Sequence, residues 1–337
     1  MSGGPDRFLV TGALGCIGAW TVRALVREGA DVTAFDVGRD ARRLRQIVSE
    51  DEFGQVHFEA GDITDLDAFE RVLDAHEVTN VIHLAALQVP FCRADPPRGA
   101  LVNVVGTVNV FDAVKRRAAR MAPVVYTSSI AVYTADDADA TTGRLTTKAT
   151  PHPPNHYGVY KQANEGNARI YWLDDGLSSI GVRPMTVYGV GRDQGMTSGP
   201  TKAIVAAVLG RPYRVSFAGS TLYQYTEDVA RTLVAASRSS LEGAHVFNLP
   251  GVVADGPALA AAIETAVPGA TDLIDFDPGS LPFPSQIDHD GIEAIDPPTV
   301  TPLSEGIAAS VAIYRELARD GRLDPADHGL EPLASVR

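Results

Sequence analysis

Along the first half of the chain, short apolar runs without polar alternation trade places with stretches whose apolar positions recur every three or four residues. Phe8–Thr11, Val32–Phe35, Val56–Phe58, Asn80–Leu84 and Val124–Thr127 read as strands. Ile17–Glu28 (closed by Gly29), Leu66–Ala75, Val102–Ala119 and the stretch after Tyr157 read as helices. Strands apolar on both faces belong in a parallel sheet covered on both sides. The alternation therefore predicts an α/β fold with a doubly wound parallel sheet. A further strand, Gly181–Val187, ends at Tyr188-Gly189; the pattern then loosens through Gly191–Pro200 into a helix around Lys202–Leu209. The C-terminal third is rich in Pro, Asp and Gly and finishes in a helix whose start is signalled by Thr301-Pro302. This predicts a main domain over residues 1–188, with 223–250 returning to it. A smaller substrate domain takes 189–222 and 251–325, and 326–337 form a frayed tail.

Charge and composition remove several classes of partner. The net charge is −13 with no Lys/Arg-rich run, which argues against nucleic acid and anionic membranes. No apolar stretch approaches a membrane span, and the opening MSGGPDRFLV has no basic and apolar leader pattern, so a cytoplasmic protein is expected. Cys16 and Cys92 are far apart and form no CxxC, the eight histidines form no ligand-spaced cluster, and DHDG (Asp288–Gly291) lacks the rest of a calcium loop. No metal is expected. Lysine is scarce, with only Lys115, Lys148, Lys161 and Lys202, so the position of each one carries weight.

The first strand runs directly into TGALGCIG, where Gly12, Gly15, Cys16, Ile17 and Gly18 form the turn and open the next helix. Such a turn lets backbone N–H groups and the helix dipole meet a pyrophosphate. The spacing is GxxGxxG, and on its own it also suits any tight strand-to-helix turn. The second strand ends at Asp36, where a carboxylate can accept bonds from ribose hydroxyls and would repel a 2′-phosphate. NAD is therefore favoured over NADP. Gly61-Asp62-Ile63 follows the third strand and places Asp62 where it could meet an adenine edge or cap a helix.

In HYGVYKQANE, Tyr157 and Lys161 stand four apart and share a helical face, whereas Tyr160 and Lys161 point about 100° apart. A phenol held beside an ammonium suits acid–base chemistry, so Tyr157 is the candidate and Tyr160 a packing residue. Thr127-Ser128-Ser129 closes a strand at the end of the sheet where open α/β folds bind ligands.

These segments, with HLAA (His83–Ala86), NVVGTVNV (Asn103–Val110), TSSIAVY, RPMTVYG and TPLSEGI, resemble in order and spacing the extended short-chain dehydrogenase/reductases, the NAD-dependent epimerase/dehydratase group. The resemblance implies glycines on the pyrophosphate, Asp36 on the adenosine ribose, and Asp62 and Ile63 beside the adenine. It implies that Leu84, Ala85 and Ala86 line the cofactor, Pro184 and Val187 lie near the nicotinamide, and Asn103 helps order the site. Ser129, Tyr157 and Lys161 match the catalytic Ser–Tyr–Lys set: Tyr157, its pKa lowered by Lys161 and the nicotinamide, takes an alcohol proton as hydride leaves. A homodimer is expected on the same ground.

Departures from the family pattern bear on the substrate. No Asp-Glu pair follows Ser129, which disfavours dehydration. Thr186 and Thr221 stand where nucleotide-sugar epimerases usually carry Asn and Arg, although Arg192, Lys202, Arg211 or Arg214 could supply a cation. The reading is an NAD-dependent dehydrogenase or epimerase acting on a secondary alcohol of a sugar-like substrate. The alternatives are a UDP-sugar 4-epimerase and, more remotely, a non-catalytic NAD sensor. Gln88, Thr186, Met196, Tyr223 and Gln224 are the expected substrate contacts by position.

Overall fold

The structure, a computed structural model, describes residues 6–330. Seven parallel strands form the central sheet: β1 (Arg7–Thr11), β2 (Asp31–Asp36), β3 (His57–Ala60), β4 (Asn80–His83), β5 (Val124–Thr127), β6 (Ser179–Arg183) and β7 (Ala244–Asn248). Their spatial order is β7-β6-β5-β4-β1-β2-β3. Strands β1, β4, β5 and β6 are buried almost throughout, which is why their sequences lack alternation. The order reverses between β1 and β4, and such a switch point leaves a crevice at the carboxyl ends of the strands.

Three segments depart from the sequence reading. The run Gly181–Val187 is two strands, because Pro184 cannot continue the ladder. Thr186–Tyr188 leaves the main sheet and pairs with Thr221–Tyr225, itself paired with Val252–Ala254. The expected helix Val102–Ala119 is a one-turn π segment, Leu101–Val105, running into the α-helix Gly106–Lys115. Thr301 does not cap the last helix, Leu303–Arg319; its N–H and hydroxyl both donate to the Asp228 carboxylate. Of the expected tail, Pro325–His328 forms a short helix that buries His328, and residues 331–337 lie outside the described residues. No helix among the described residues is long and apolar enough to cross a membrane.

Candidate active site

The crevice between β1 and β4 is a cleft of about 540 Å³, in the size range of small-molecule sites. Helix α1 (Cys16–Arg27) starts at its mouth with Gly15 as a cap that offers no side chain, leaving first-turn N–H groups available. Gly12 sits at φ +65°, and a Cβ there would come within 2.7 Å of the Ala85 amide nitrogen; one on Gly18 would lie 2.2 Å from the Gly12 carbonyl. Only glycine allows β1, α1 and the Leu84–Ala86 segment to meet so closely. Cys16 also lines the cleft, and burial pushes its thiol up to about 11, which keeps it protonated.

Asp36 closes β2 at the cleft edge, accepting from the Leu14 and Gly38 amides and keeping lone pairs for a diol. Asp62 caps its own turn through the Thr64 amide and hydroxyl, and with Ile63 it lines the same wall. This geometry fits a dinucleotide: a backbone cradle with no obstructing Cβ, then a carboxylate one strand away.

At the other end, helix α2 (His156–Asp175) is capped by Asn155, which accepts from the Gly158 amide. A Cβ on Gly158 would lie 2.1 Å from the Ala131 carbonyl, so glycine lets the helix press against the Ser129–Ala131 turn. That contact brings the Tyr157 and Ser129 hydroxyls to the same wall of the cleft, near enough to influence each other. Burial raises the Tyr157 pKa above its ordinary value, with the Ser129 hydroxyl and the Arg192 charge pulling the other way. The expected lowering by Lys161 is thus not a property of the chain alone. The Lys161 ammonium lies 5.6 Å from the Tyr157 ring centre and donates to the Thr127 carbonyl at 2.7 Å. Its pKa is lowered to about 8 by burial, against the raising effects of Cys92 and Glu165. Tyr160 points elsewhere, its hydroxyl donating to the Pro96 carbonyl at 2.9 Å.

A buried polar relay holds the two ends together. Thr11 Oγ1 accepts from the Leu84 and Ala85 amides, so its own proton goes to His83 Nδ1 at 2.7 Å. Thr107 Oγ1 donates to the Asn103 carbonyl and therefore accepts from His83 Nε2 and from Asn164 on α2. His83 is thereby fixed as the Nε2–H tautomer, and burial lowers its pKa to about 3, keeping it neutral. Asn103 does not face the cleft as a cofactor contact; it sits in the π segment and exchanges bonds with both the amide and the carbonyl of Leu87. Its role is to position the chain beside Gln88.

Leu84, Ala85, Ala86, Pro184, Val187, Gln88 and Met196 all line the cleft. Thr186, Tyr223 and Gln224 do not. The Thr186 hydroxyl is spent on Thr221 at 2.7 Å, and Gln224 bridges the Met185 amide and the Leu249 carbonyl. Tyr223 is buried in the second sheet. All three lie on strands of that sheet whose burial the sequence could not assign to a face. Arg192, expected only as one of four cations that could serve the substrate, and Phe283, not expected at all, line the cleft as well. Both sit in segments of irregular composition with no periodic signal.

A hydroxyl pair backed by a buried ammonium, opposite a dinucleotide cradle at a switch point, defines a nicotinamide-dependent enzyme of hydride transfer. Residues 8–249 match the NAD dependent epimerase/dehydratase family, and the chain belongs to that family. It is 32% identical over 320 residues to a UDP-glucose 4-epimerase of Mycolicibacterium smegmatis, covering 92% of this chain and 98% of that one. It is also 32% identical over 188 residues to UDP-glucuronate 4-epimerase 6 of Arabidopsis thaliana, covering 54% and 39%. A partial-consensus L-threonine 3-dehydrogenase shares the fold with a TM-score of 0.80, at 24% identity over 92% of this chain and 100% of that one.

The cofactor is NAD. Asp36→Ser is expected to weaken NAD about tenfold and to bring NADP affinity closer to it, since the repelling carboxylate is gone. Fluorescence titration with each dinucleotide reads both changes.

Proposed function

We propose that Tyr157 exchanges the proton of a secondary alcohol while Ser129 hydrogen-bonds the same oxygen and Lys161 sustains the charge balance beneath them. The observation that carries this reading is the convergence of the Ser129 and Tyr157 hydroxyls in the cleft beyond the glycine turn. Bound NAD supplies the hydride acceptor and, in reverse, the donor. The chain's own residues hold the oxygen, move its proton and keep the reacting carbon in a largely apolar pocket beside Pro184 and Val187. An intact Ser129, Tyr157 and Lys161 set argues against a non-catalytic sensor.

The substrate is sugar-like and need not carry a nucleotide. Supporting this, Thr186 and Thr221 satisfy each other away from the cleft and offer nothing to a diphosphate. The rival UDP-sugar 4-epimerase reading draws on the Mycolicibacterium relative. It calls for NAD retained through purification and turnover without added cofactor. The dehydrogenase reading calls for NADH accumulating in step with substrate, and for little thermal stabilisation by UDP. A screen of sugars and hydroxy acids read at the NADH band, beside a UDP melting curve, separates the two; a large shift with UDP alone would sink the first.

Residues 189–222 and 251–325 are proposed as the substrate-facing part. A homodimer is proposed through the apolar side chains that Val105, Val159, Ile170 and Leu173 leave exposed on neighbouring helices. A cytoplasmic setting suits two cysteines that are both free.

A further inference from the structure

We propose that Arg192 is a receptor for a carboxylate of the substrate, so that the alcohol handled by Tyr157 belongs to a sugar acid or other hydroxy acid. This rests on the hydride-transfer reading and adds the substrate class.

Arg192 lies in the loop that follows Thr186–Tyr188, and its side chain lines the same cleft as Ser129 and Tyr157. The loop is anchored on both sides of it. The Gly191 amide donates to the Tyr314 hydroxyl at 3.2 Å. The next residue, Asp193, has a side chain only 4% exposed and is gripped by Arg42 at 3.1 Å and Arg43 at 2.8 Å. Asp193 is therefore spent, and no carboxylate among the described residues pairs with Arg192. The guanidinium donates through Nη2 to Thr197 Oγ1 at 3.2 Å, and its buried Nε has no partner. Most of a planar five-donor fork is left facing a cleft, and that fork matches a carboxylate bidentately.

A second group converges there. Gly195, at φ +97°, passes so close that a Cβ would lie 2.1 Å from Gln88 Oε1 and 3.2 Å from Arg192 Nη2. One amide and one guanidinium thus share a small volume, and glycine keeps the loop out of it. A phosphate would also suit the fork, but two observations favour a carboxylate close to the reacting carbon. The Arg192 charge is felt at the Tyr157 phenol, whereas a sugar diphosphate would place its anion a whole ring away from a reacting C4. The Thr186 and Thr221 hydroxyls bond each other away from the cleft and offer nothing to such a diphosphate.

The test uses the full chain loaded with NAD and measures binding by calorimetry for matched pairs: D-glucuronate against D-glucose, D-gluconate against D-glucitol, L-threonine against L-threoninol, and UDP against uridine. At least one acid should bind tenfold or more tighter than its neutral partner. Arg192→Gln should remove that preference, Arg192→Lys should keep part of it, and NAD affinity should stay within twofold in both. Three results overturn the proposal: no acid preferred by the natural chain, a preference that survives Arg192→Gln, or UDP as the one ligand whose binding depends on Arg192. Failure of the natural chain to bind NAD would instead take down the parent reading, and this one with it.

Discussion

Tyr157→Phe should lower the rate of hydride transfer by about a thousandfold, within the range that a positioned acid–base group supplies. NAD affinity should stay within about twofold of the natural chain. The substitution keeps the ring that the Lys161 ammonium overlooks at 5.6 Å, and leaves the close approach of Gly158 to Ala131 untouched. It removes only the phenolic oxygen, which shares the cleft with the Ser129 hydroxyl and is the group that must accept and return a proton. Tyr160→Phe is the matched control. It loses one bond to the Pro96 carbonyl, outside the cleft, and should cost about 1 kcal/mol of stability with the rate unchanged. Stopped-flow NADH formation on the two variants decides the assignment. A Tyr157→Phe enzyme within tenfold of the natural rate would refute it.

Burial decided how much of the fold the chain's pattern disclosed. Strands β1, β4 and β5 are covered on both faces, so their uninterrupted apolar runs are readable without any knowledge of neighbours. Helix Leu66–Ala75 was predicted to the residue because Asp65 caps it and its apolar stripe is regular. Legibility ended where partners are non-local. Nothing in TVY or TLYQY announces that Thr186–Tyr188 pairs with Thr221–Tyr225. Nor does the valine-rich run from Val102 say that its first turn widens into a π segment around Asn103.

The site divides along the same line. Gly12, Gly18, Asp36, Tyr157 and Lys161 are set by local geometry, a turn or a single helical face, and each stands in the cleft. Thr186, Tyr223 and Gln224 were placed by position along the chain, and the structure turns them into the second sheet. Arg192 and Phe283 enter the cleft from loops, where only tertiary contacts fix direction. Spacing within one element is a physical constraint, whereas order along a sequence is not.

Glu165→Ala should cost about 3–5 kcal/mol of unfolding free energy, the price of leaving a buried charge without its partner. Glu165 stands one helical turn past Lys161, and its carboxylate pairs with Arg183 on β6 at 2.6 Å, the two side chains being 11% and 10% exposed. Arg183 also reaches the Tyr133 hydroxyl and Asn248, so the pair ties α2, β6, β7 and the segment after β5 into one buried cluster. Ser128 completes it, donating to Glu165 at 2.5 Å from the position next to Ser129. Stability and catalysis should therefore separate in a double variant. Glu165→Leu with Arg183→Met removes both charges and should recover most of the lost stability in urea titrations. Activity should fall in both variants, because Ser128, next to Ser129, loses its acceptor. The Glu165 charge also raises the pKa of Lys161, which lies near 8 with that charge in place, so the alkaline limb of the double variant's residual activity should move to lower pH. A double variant with natural activity and an unmoved pH profile would reduce the cluster to a purely structural tie. If the single Glu165→Ala variant melted like the natural chain, the pair would be contributing nothing to the fold.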